Sequence, residues 1–379
     1  MHGSLVSAIL SPRMDTPRIA IIQDQLTSSG GGEQVVLALT ELFPDAPVYT
    51  SLYRSEAVPQ FAKTKVIPSY LQRIPTAVRR HQLFIPLMPV AFESFDLKGF
   101  DLVISVGNGF SKGVITQPGQ PHIAYIHSPA RWLWNLGNDT RNKGRLDSGL
   151  RAMAEHRLRV WDVVSSERVD RFVTNSEFDA ARIAKIYRRD AEVVHPPVNV
   201  DAFKPGEGKR QDYLLSVSRL VPYKRIDLVI EACKRLKRPL KIVGTGPEEG
   251  MLRDLAKGAP WIDFLGFVPD AQLETLYQEA AAFVFAAEED FGIVPVEAMS
   301  AGCPVIAYGV GGVTESVVAG KTGEFFNEQT VDSLAEAITS FDPSAYDPKT
   351  IRAQAEKFSA ARFKERMAAI VADALKHQS

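Results

Sequence analysis

The sequence predicts an α/β fold made of two doubly wound, Rossmann-like parallel-sheet domains. Three observations carry this. Short unbroken apolar runs such as Arg18–Gln23 (RIAIIQ), Asp101–Val106 (DLVISV) and Tyr213–Val217 (YLLSV) read as strands buried on both faces. These runs alternate with helical stretches in each half, without an internal sequence repeat. A length of 379 residues suits about two domains, each able to bury a core.

Composition narrows the functional classes. With 45% hydrophobic and 23% charged residues the chain reads as an ordinary soluble protein, and no apolar run approaches the ~18 residues of a membrane span. The opening MHGSLVSAILSPRM lacks a basic n-region, so no secretory signal is expected. Cys233 and Cys303 fall in apparent helix and strand segments without metal-ligand spacing, as buried thiols of a reducing cytoplasm would. Up to Pro205 there are 24 Lys and Arg against 20 Asp and Glu; beyond it, 20 against 25. Neither balance marks a nucleic-acid binder. The mildly basic first half suits an anionic membrane face or a diphosphate-bearing acceptor.

In chain order, the first strand is followed by a polar loop, Leu26–Glu33, with Gly30, Gly31 and Gly32, and then a helix from about Gln34 to Leu42. Glycines between a strand and a helix let backbone N–H groups approach a phosphate, although such a loop alone reads first as a tight turn. Pro68–Phe92 mixes Arg73, Arg79, Arg80 and His81 with Leu83, Phe84, Ile85, Leu87 and Met88. It reads equally as an interfacial membrane segment or as a helix with one buried face. His122–Ile126 is a strand leading to His127-Ser128-Pro129, then Arg131, Trp132 and Trp134. A lone histidine is more often structural, but this one stands at a strand's carboxyl end, where parallel sheets bind ligands. A long amphipathic helix, Arg145–Arg171, a strand, Phe172–Ser176, and a helix, Phe178–Tyr187, complete the first half. Prolines to Pro205 and the run Gly206–Gln211 mark a linker. The expected domains are therefore 1–205 and 206–358, with a closing helix from about Ala360 to His377 in 359–379.

In the second half, Arg219 and Lys224 follow the strand Tyr213–Val217 and precede a helix from about Ile226 to Lys234. Two cations there suit a pyrophosphate, or are simply solvated. Gly244-Thr245-Gly246-Pro247 lacks the third glycine of a dinucleotide fingerprint, Glu249 standing in its place. Ile262–Val268, which includes Phe267, reads as another short strand.

The chain is organised around Ala286–Glu315 (AAEEDFGIVPVEAMSAGCPVIAYGVGGVTE). The apolar run Ala280–Phe285 stops at Glu288, Glu289 and Asp290, and a turn carries Phe291 and Gly292. Pro295 stands where a helix can begin, Val296–Ala301 reads as helical, and Pro304–Ala307 as a strand. Gly309, Gly311 and Gly312 then make a flexible turn. Glu289 and Glu297, with seven residues between them, suit paired recognition of vicinal hydroxyls; by spacing alone they equally fit a dipole-favoured acid and a solvated helix residue.

The Glu-x7-Glu pair around FGIVPVEAM, followed by AGCPVIA and GGVTE, resembles the nucleotide-sugar site of family-4 retaining glycosyltransferases of GT-B fold. Asp290 stands where that family more often has glycine. The run YIHSPARWLWN is similar to a segment of bacterial polysaccharide and O-antigen mannosyltransferases of that family. The resemblance covers nearly the whole chain. It implies two domains facing a central cleft, with the closing helix crossing back onto the first. It also implies a nucleotide-sugar donor, GDP-mannose best, and transfer to a glycan or lipid-linked saccharide. By the same resemblance Arg219 and Lys224 bind the donor diphosphate, Glu289 and His127 the sugar, and Glu297 the ribose. Gly31 and Gly32, followed by Glu33, lie near the phosphates. Phe291, Gly292, Ile293 and Val294 line the donor pocket, and the strand carrying Phe267 flanks the base.

No metal is expected, because the chain contains no Asp-x-Asp, and no cofactor beyond the donor. The expected location is cytoplasmic, in peripheral contact with the inner face of an anionic membrane. Three rival classes share features of this reading: a non-hydrolysing sugar-nucleotide epimerase, a pyridoxal-phosphate phosphorylase, and a non-catalytic nucleotide-binding regulator.

Overall fold

The computed structural model describes residues 17–28, 30–136, 148–206 and 208–376. The N-terminal opening, the first residues of the Arg145–Arg171 stretch, Glu207 of the linker and His377 lie outside the described residues. Packing divides the chain into two units. One holds everything described up to Pro197 together with the chain from Ala361 onward, and the other runs Val198–Ala360.

The first unit is a seven-stranded sheet: β1 (Ile19–Gln23), β2 (Val48–Thr50), β3 (Val66–Pro68), β4 (Leu102–Gly107), β5 (His122–Ile126), β6 (Arg171–Thr174) and β7 (Ala191–Val193). Its order is β3-β2-β1-β4-β5-β6-β7, and every pair is parallel. All five residues of β1 and all six of β4 are buried, which explains why they read as unbroken apolar runs. The order reverses between β1 and β4, the switch point outside which doubly wound sheets bind ligands. Its helices are α1 (Gly31–Leu42), α2 (Met88–Glu93), α3 (Arg131–Trp134), α4 (Ser148–Ser166) and α5 (Glu177–Tyr187).

The second unit is a six-stranded sheet: β8 (Leu214–Val217), β9 (Leu240–Val243), β10 (Ile262–Gly266), β11 (Ala282–Phe285), β12 (Val305–Tyr308) and β13 (Gly323–Phe326). The order β10-β9-β8-β11-β12-β13 is again all parallel, with its switch point between β8 and β11. Its helices are α6 (Ile226–Leu236), α7 (Glu249–Leu255), α8 (Asp270–Glu279), α9 (Ile293–Ser300), α10 (Val313–Ser316), α11 (Val331–Ser340) and α12 (Pro348–Ala355). The last helix, α13 (Ala360–Lys376), buries Phe363, Met367, Ile370 and Val371 in the core that Ile21, Leu39 and Ile104 form in the first unit.

Several expectations need correction. Helix α1 begins at Gly31, not Gln34, so Gly31 and Gly32 are its first residues. Helix α9 begins at Ile293, not Val296; Pro295 is its third residue, where a missing N–H still costs nothing. Strand β6 ends at Thr174 because Ser176 caps α5, its hydroxyl accepting from Asp179 N–H. Pro68–Phe92 is not one helix: short 3-10 turns, Tyr70–Arg73 and His81–Leu87, precede α2. Pro75 separates the two turns and Pro86 lies inside the second, while Pro89 falls in the first turn of α2, where its missing N–H is tolerated. Cys233 and Cys303 are both buried thiols, the latter just ahead of β12.

Candidate functional site

The second unit presents its chemistry at the carboxyl ends of β8 and β11. Beyond β8 the chain lies against the Gly244–Gly246 turn: Ser218 N–H donates to Val243 O at 3.0 Å and Leu220 N–H to Thr245 O at 3.0 Å. A Cβ at Gly244 would stand 1.8 Å from Ser218 O, and one at Gly246 2.2 Å from Leu220 O. These glycines are thus required by a backbone-to-backbone approach that holds the Ser218–Leu220 loop in place. On that loop Arg219 is exposed, and among the described residues its guanidinium makes no hydrogen bond or ion pair. The Ser218 hydroxyl beside it is buried without a partner among the described residues.

Lys224 ends a 3-10 turn, Pro222–Lys224, and Arg225 after it adopts φ +54°, a left-handed conformation unusual for a side chain of this size. The Arg225 guanidinium reaches Asp227 at 3.2 Å and Gln329 at 2.9 Å, and Gln329 in turn donates to Ala286 O at 2.8 Å. This chain of contacts ties the start of α6 to the acidic loop after β11. There the Lys224 ammonium donates to the Glu289 carboxylate, both side chains being more than four-fifths buried.

Glu289 is fixed from the other side by the glycine loop. Its backbone bridges Gly311, and its carbonyl accepts from Gly312 N–H at 2.9 Å. Gly311 has φ +93°, and a Cβ on it would lie 2.4 Å from Glu289 O; one on Gly312 would lie 2.2 Å from Asp290 O. The turn expected to be flexible is therefore a close-packed brace for the acidic loop.

Gly292, at φ +86°, turns the chain into α9. The Phe291 ring is buried against Phe358, with centroids 5.5 Å apart, and Ile293 and Val294 pack on the same core. What these residues offer a ligand is the run of N–H groups at the start of α9. Glu297, on the second turn, has a partly buried carboxyl with no hydrogen bond or ion pair among the described residues. Burial, and secondarily the charge of Asp270, pushes it up to about 7. Tyr277, whose phenol feels the Glu297 charge, has a buried hydroxyl without a partner among the described residues. Phe267, beyond β10, is 83% exposed.

The first unit brings Gly32 and His127 together. His127 follows β5, its N–H donating to Gly107 O at 3.1 Å and its ring meeting Tyr125 edge-on at 5.4 Å. Its Nε2 is buried without a partner among the described residues, and a Cβ at Gly32 would stand 3.1 Å from that atom. Burial, opposed by the charge of Asp24, lowers the imidazole to about 4, so the ring is neutral near pH 7. Gly31 and Gly32 open α1 with N–H groups that no side chain caps among the described residues. The Glu33 carboxyl is raised by burial, against hydrogen bonds from its own N–H and that of Gly30. This is half of a capping box, a structural role for the glutamate after the glycines.

Two groups escaped sequence reading. Asp24, just past β1, accepts from Asn108 N–H at 2.8 Å and Ser111 N–H at 2.6 Å. Its signal was an acid directly after a buried strand, a position at the switch point. Asp162 is the other: it accepts from Lys112 Nζ at 2.5 Å, Trp134 Nε1 at 2.7 Å and Tyr187 Oη at 2.9 Å. Lys112 is fully buried, and this network holds Trp134, at the end of the His127–Trp134 segment, against α4.

Two parallel-sheet α/β units with polar residues gathered at their switch points define the GT-B class of architecture. Residues 29–202 match the family described as Glycosyltransferase Family 4, and residues 198–358 that described as Glycosyl transferases group 1. The chain thus carries a family 4 glycosyltransferase domain followed by a group 1 glycosyltransferase domain.

Among curated relatives, the D-inositol 3-phosphate glycosyltransferase of Mycobacteroides abscessus is 29% identical over 240 residues, covering 57% of this chain and 52% of the relative. Its namesake from Mycobacterium avium is 31% identical over 195 residues, 45% of this chain and 46% of the relative. The match spans about half the length of these relatives. Among solved structures, sucrose-phosphate synthase from Thermosynechococcus elongatus superposes with TM-score 0.70 at 19% identity, over 94% of this chain and 98% of that one. Anabaena Alr3699/HepE in complex with UDP-glucose gives 0.68 at 18% identity, over 94% and 99%.

Proposed function

We propose that the chain is a retaining glycosyltransferase that moves a sugar, mannose from GDP-mannose, to a glycan or lipid-linked saccharide in cell-surface polysaccharide assembly. The observation that carries the reading is the contact of Lys224 with Glu289 at the switch point of a group 1 glycosyltransferase domain, together with the exposed Arg219, whose guanidinium has no ion pair among the described residues.

In this reading Arg219 and Lys224 meet the charge that grows on the leaving diphosphate, which is electrostatic catalysis. The N–H groups of Gly292, Ile293 and Val294 add donors at the start of α9. Glu289 accepts from donor-sugar hydroxyls, and its contact with Lys224 fixes the carboxylate for that task. Glu297, with no partner of its own among the described residues, accepts from the ribose hydroxyls, and Phe267 borders the base. In the first unit, Gly31, Gly32 and the neutral His127 take the roles near phosphate and sugar that the resemblance implies. The bond from anomeric carbon to diphosphate breaks and a bond to the acceptor hydroxyl forms, the acceptor's proton leaving with the diphosphate. No covalent glycosyl-enzyme is invoked. Turnover is proposed to need no divalent ion, the two cations serving the diphosphate.

The mannose assignment rests on YIHSPARWLWN and EEDFGIVPVEA. The experiment is a panel of GDP and UDP sugars, with nucleoside diphosphate release as the readout. Release from GDP-mannose supports the reading. Release only from UDP sugars corrects the donor, and none from any member removes the function.

A further inference from the structure

Four residues other than glycine have a positive φ among the described residues. Asn135, Arg188 and Lys237 close helices α3, α5 and α6, where the left-handed conformation is an ordinary stop. Arg225, at φ +54°, stands instead at the opening of α6, directly after Lys224. That position usually carries a short polar residue whose oxygen caps the helix, and Arg225 makes no such cap. A left-handed residue with a Cβ also costs stability that a glycine would not. Strain of this kind, next to a charged residue of the site, points to function.

The Arg225 guanidinium closes a ring of contacts around the Lys224–Glu289 pair. Its Nε and Nη2 each donate to the Asp227 carboxylate at 3.2 Å, and its Nη1 donates to Gln329 Oε1 at 2.9 Å. Gln329 stands just ahead of α11, which shares a core with α6 through Leu334, Ile338, Val229 and Ile230. Its Nε2 donates to Ala286 O at 2.8 Å, three residues before Glu289. Glu289 returns to Lys224, the neighbour of Arg225. A planar guanidinium, with its donors in a fixed fork, serves two partners in two directions as an ammonium does not.

We propose that Arg225 is a positioning residue for the reaction: it sets the separation of Lys224 and Glu289 by fastening the start of α6 to the acidic loop through Gln329. This rests on the roles given to Lys224 and Glu289 in the glycosyltransferase reading. A clasp that merely joined α6 to α11 would make activity follow stability, whereas a positioning residue separates the two. Arg225→Gly tells them apart, because it removes the guanidinium and the backbone strain together.

The test is steady-state nucleoside diphosphate release from whichever GDP or UDP sugar the wild type turns over, with thermal unfolding on the same samples. Arg225→Gly should keep its unfolding midpoint within about 4 °C of the wild type, relieved strain offsetting the lost contacts. Its kcat should fall about tenfold with little change in donor KM, since Lys224 is displaced from charge that grows in the transition state. Arg225→Lys, unable to hold Asp227 and Gln329 together, should fall between. Gln329→Ala, at the other end of the clasp, should lower kcat alike, and the double variant should lose no more than the worse single one. If Arg225→Gly does not fold, Arg225→Lys and Gln329→Ala carry the same comparison. Wild-type kcat in these variants overturns the proposal, as does a loss confined to donor KM or a double variant whose losses simply add. Activity that falls only in step with the unfolding midpoint makes the clasp structural and also overturns it. In each of these outcomes the wild type still turns over its donor and the glycosyltransferase reading stands. No release by the wild type from any donor removes that reading, and this inference with it.

Discussion

Gly32 faces His127 so closely that a Cβ on residue 32 would stand 3.1 Å from the imidazole Nε2, a buried atom with no hydrogen-bond partner among the described residues. The glycine therefore does more than loosen a turn: it leaves open the space beside an unsatisfied nitrogen at a helix N-terminus. Gly32→Ala should favour α1 by up to ~1 kcal/mol through helix propensity. It should still reduce kcat/KM by about tenfold by displacing the imidazole. Thermal unfolding and steady-state kinetics on the same sample check this; full activity would mean that the space has no function.

The neutrality of His127 has a pH signature. Its imidazole is lowered to about 4 by burial, as is that of His122. The unfolded chain binds these protons near the ordinary histidine value of ~6.5, so it takes up more protons than the fold between that value and 4. The stabilisation is complete above ~6.5 and is lost as pH falls towards 4. Melting temperature should decline across that window, with both imidazole resonances unshifted there. His127→Gln should flatten the decline, and a His127 resonance titrating near 6.5 would refute the assignment.

Glu297 works in the opposite direction. Burial raises its carboxyl to about 7, above its unfolded range, so the fold favours the protonated form. The associated stability is fully present below ~4.5 and is lost as pH rises through about 7. Ribose hydroxyls, in contrast, donate to the ionised form. Donor KM should therefore fall as pH rises through 7 in the wild type, while Glu297→Gln should show a flat profile. A profile unchanged by the substitution would remove Glu297 from the site.

Much of this was legible in the sequence, and what was not has a physical cause. Strands β1, β4 and β8 announced themselves because burial on both faces leaves unbroken apolar runs. Edge strands β7 and β13, with sequences AEV and GEFF, carry no such run and were missed. Gly311 and Gly312 read as flexible because their need for glycine arises from Glu289 and Asp290, more than twenty residues earlier in the chain. Residue types at 219, 224, 289 and 297 could be marked by resemblance. The direct contact of Lys224 with Glu289, 65 residues apart, is tertiary and has no local signal.

Independence from divalent metal follows from the proposed use of Arg219 and Lys224 for the diphosphate. Nucleoside diphosphate release should proceed at an unchanged rate in EDTA. A loss restored by Mn²⁺ or Mg²⁺ would show that the two cations do not suffice.

The most direct measurement compares kcat and donor KM for Lys224→Ala and Glu297→Gln. Lys224 is assigned to charge that grows as the glycosidic bond breaks, so its interaction strengthens in the transition state. A charge-assisted hydrogen bond is worth roughly 1.5–3 kcal/mol, and each ~1.4 kcal/mol is tenfold in rate. Lys224→Ala should lower kcat about ten- to a hundredfold with the fold retained, although it also frees Glu289. Glu297→Gln should raise donor KM more than it lowers kcat, as loss of uniform binding does. A Lys224 variant altered only in KM, beside a Glu297 variant altered only in kcat, would contradict the account.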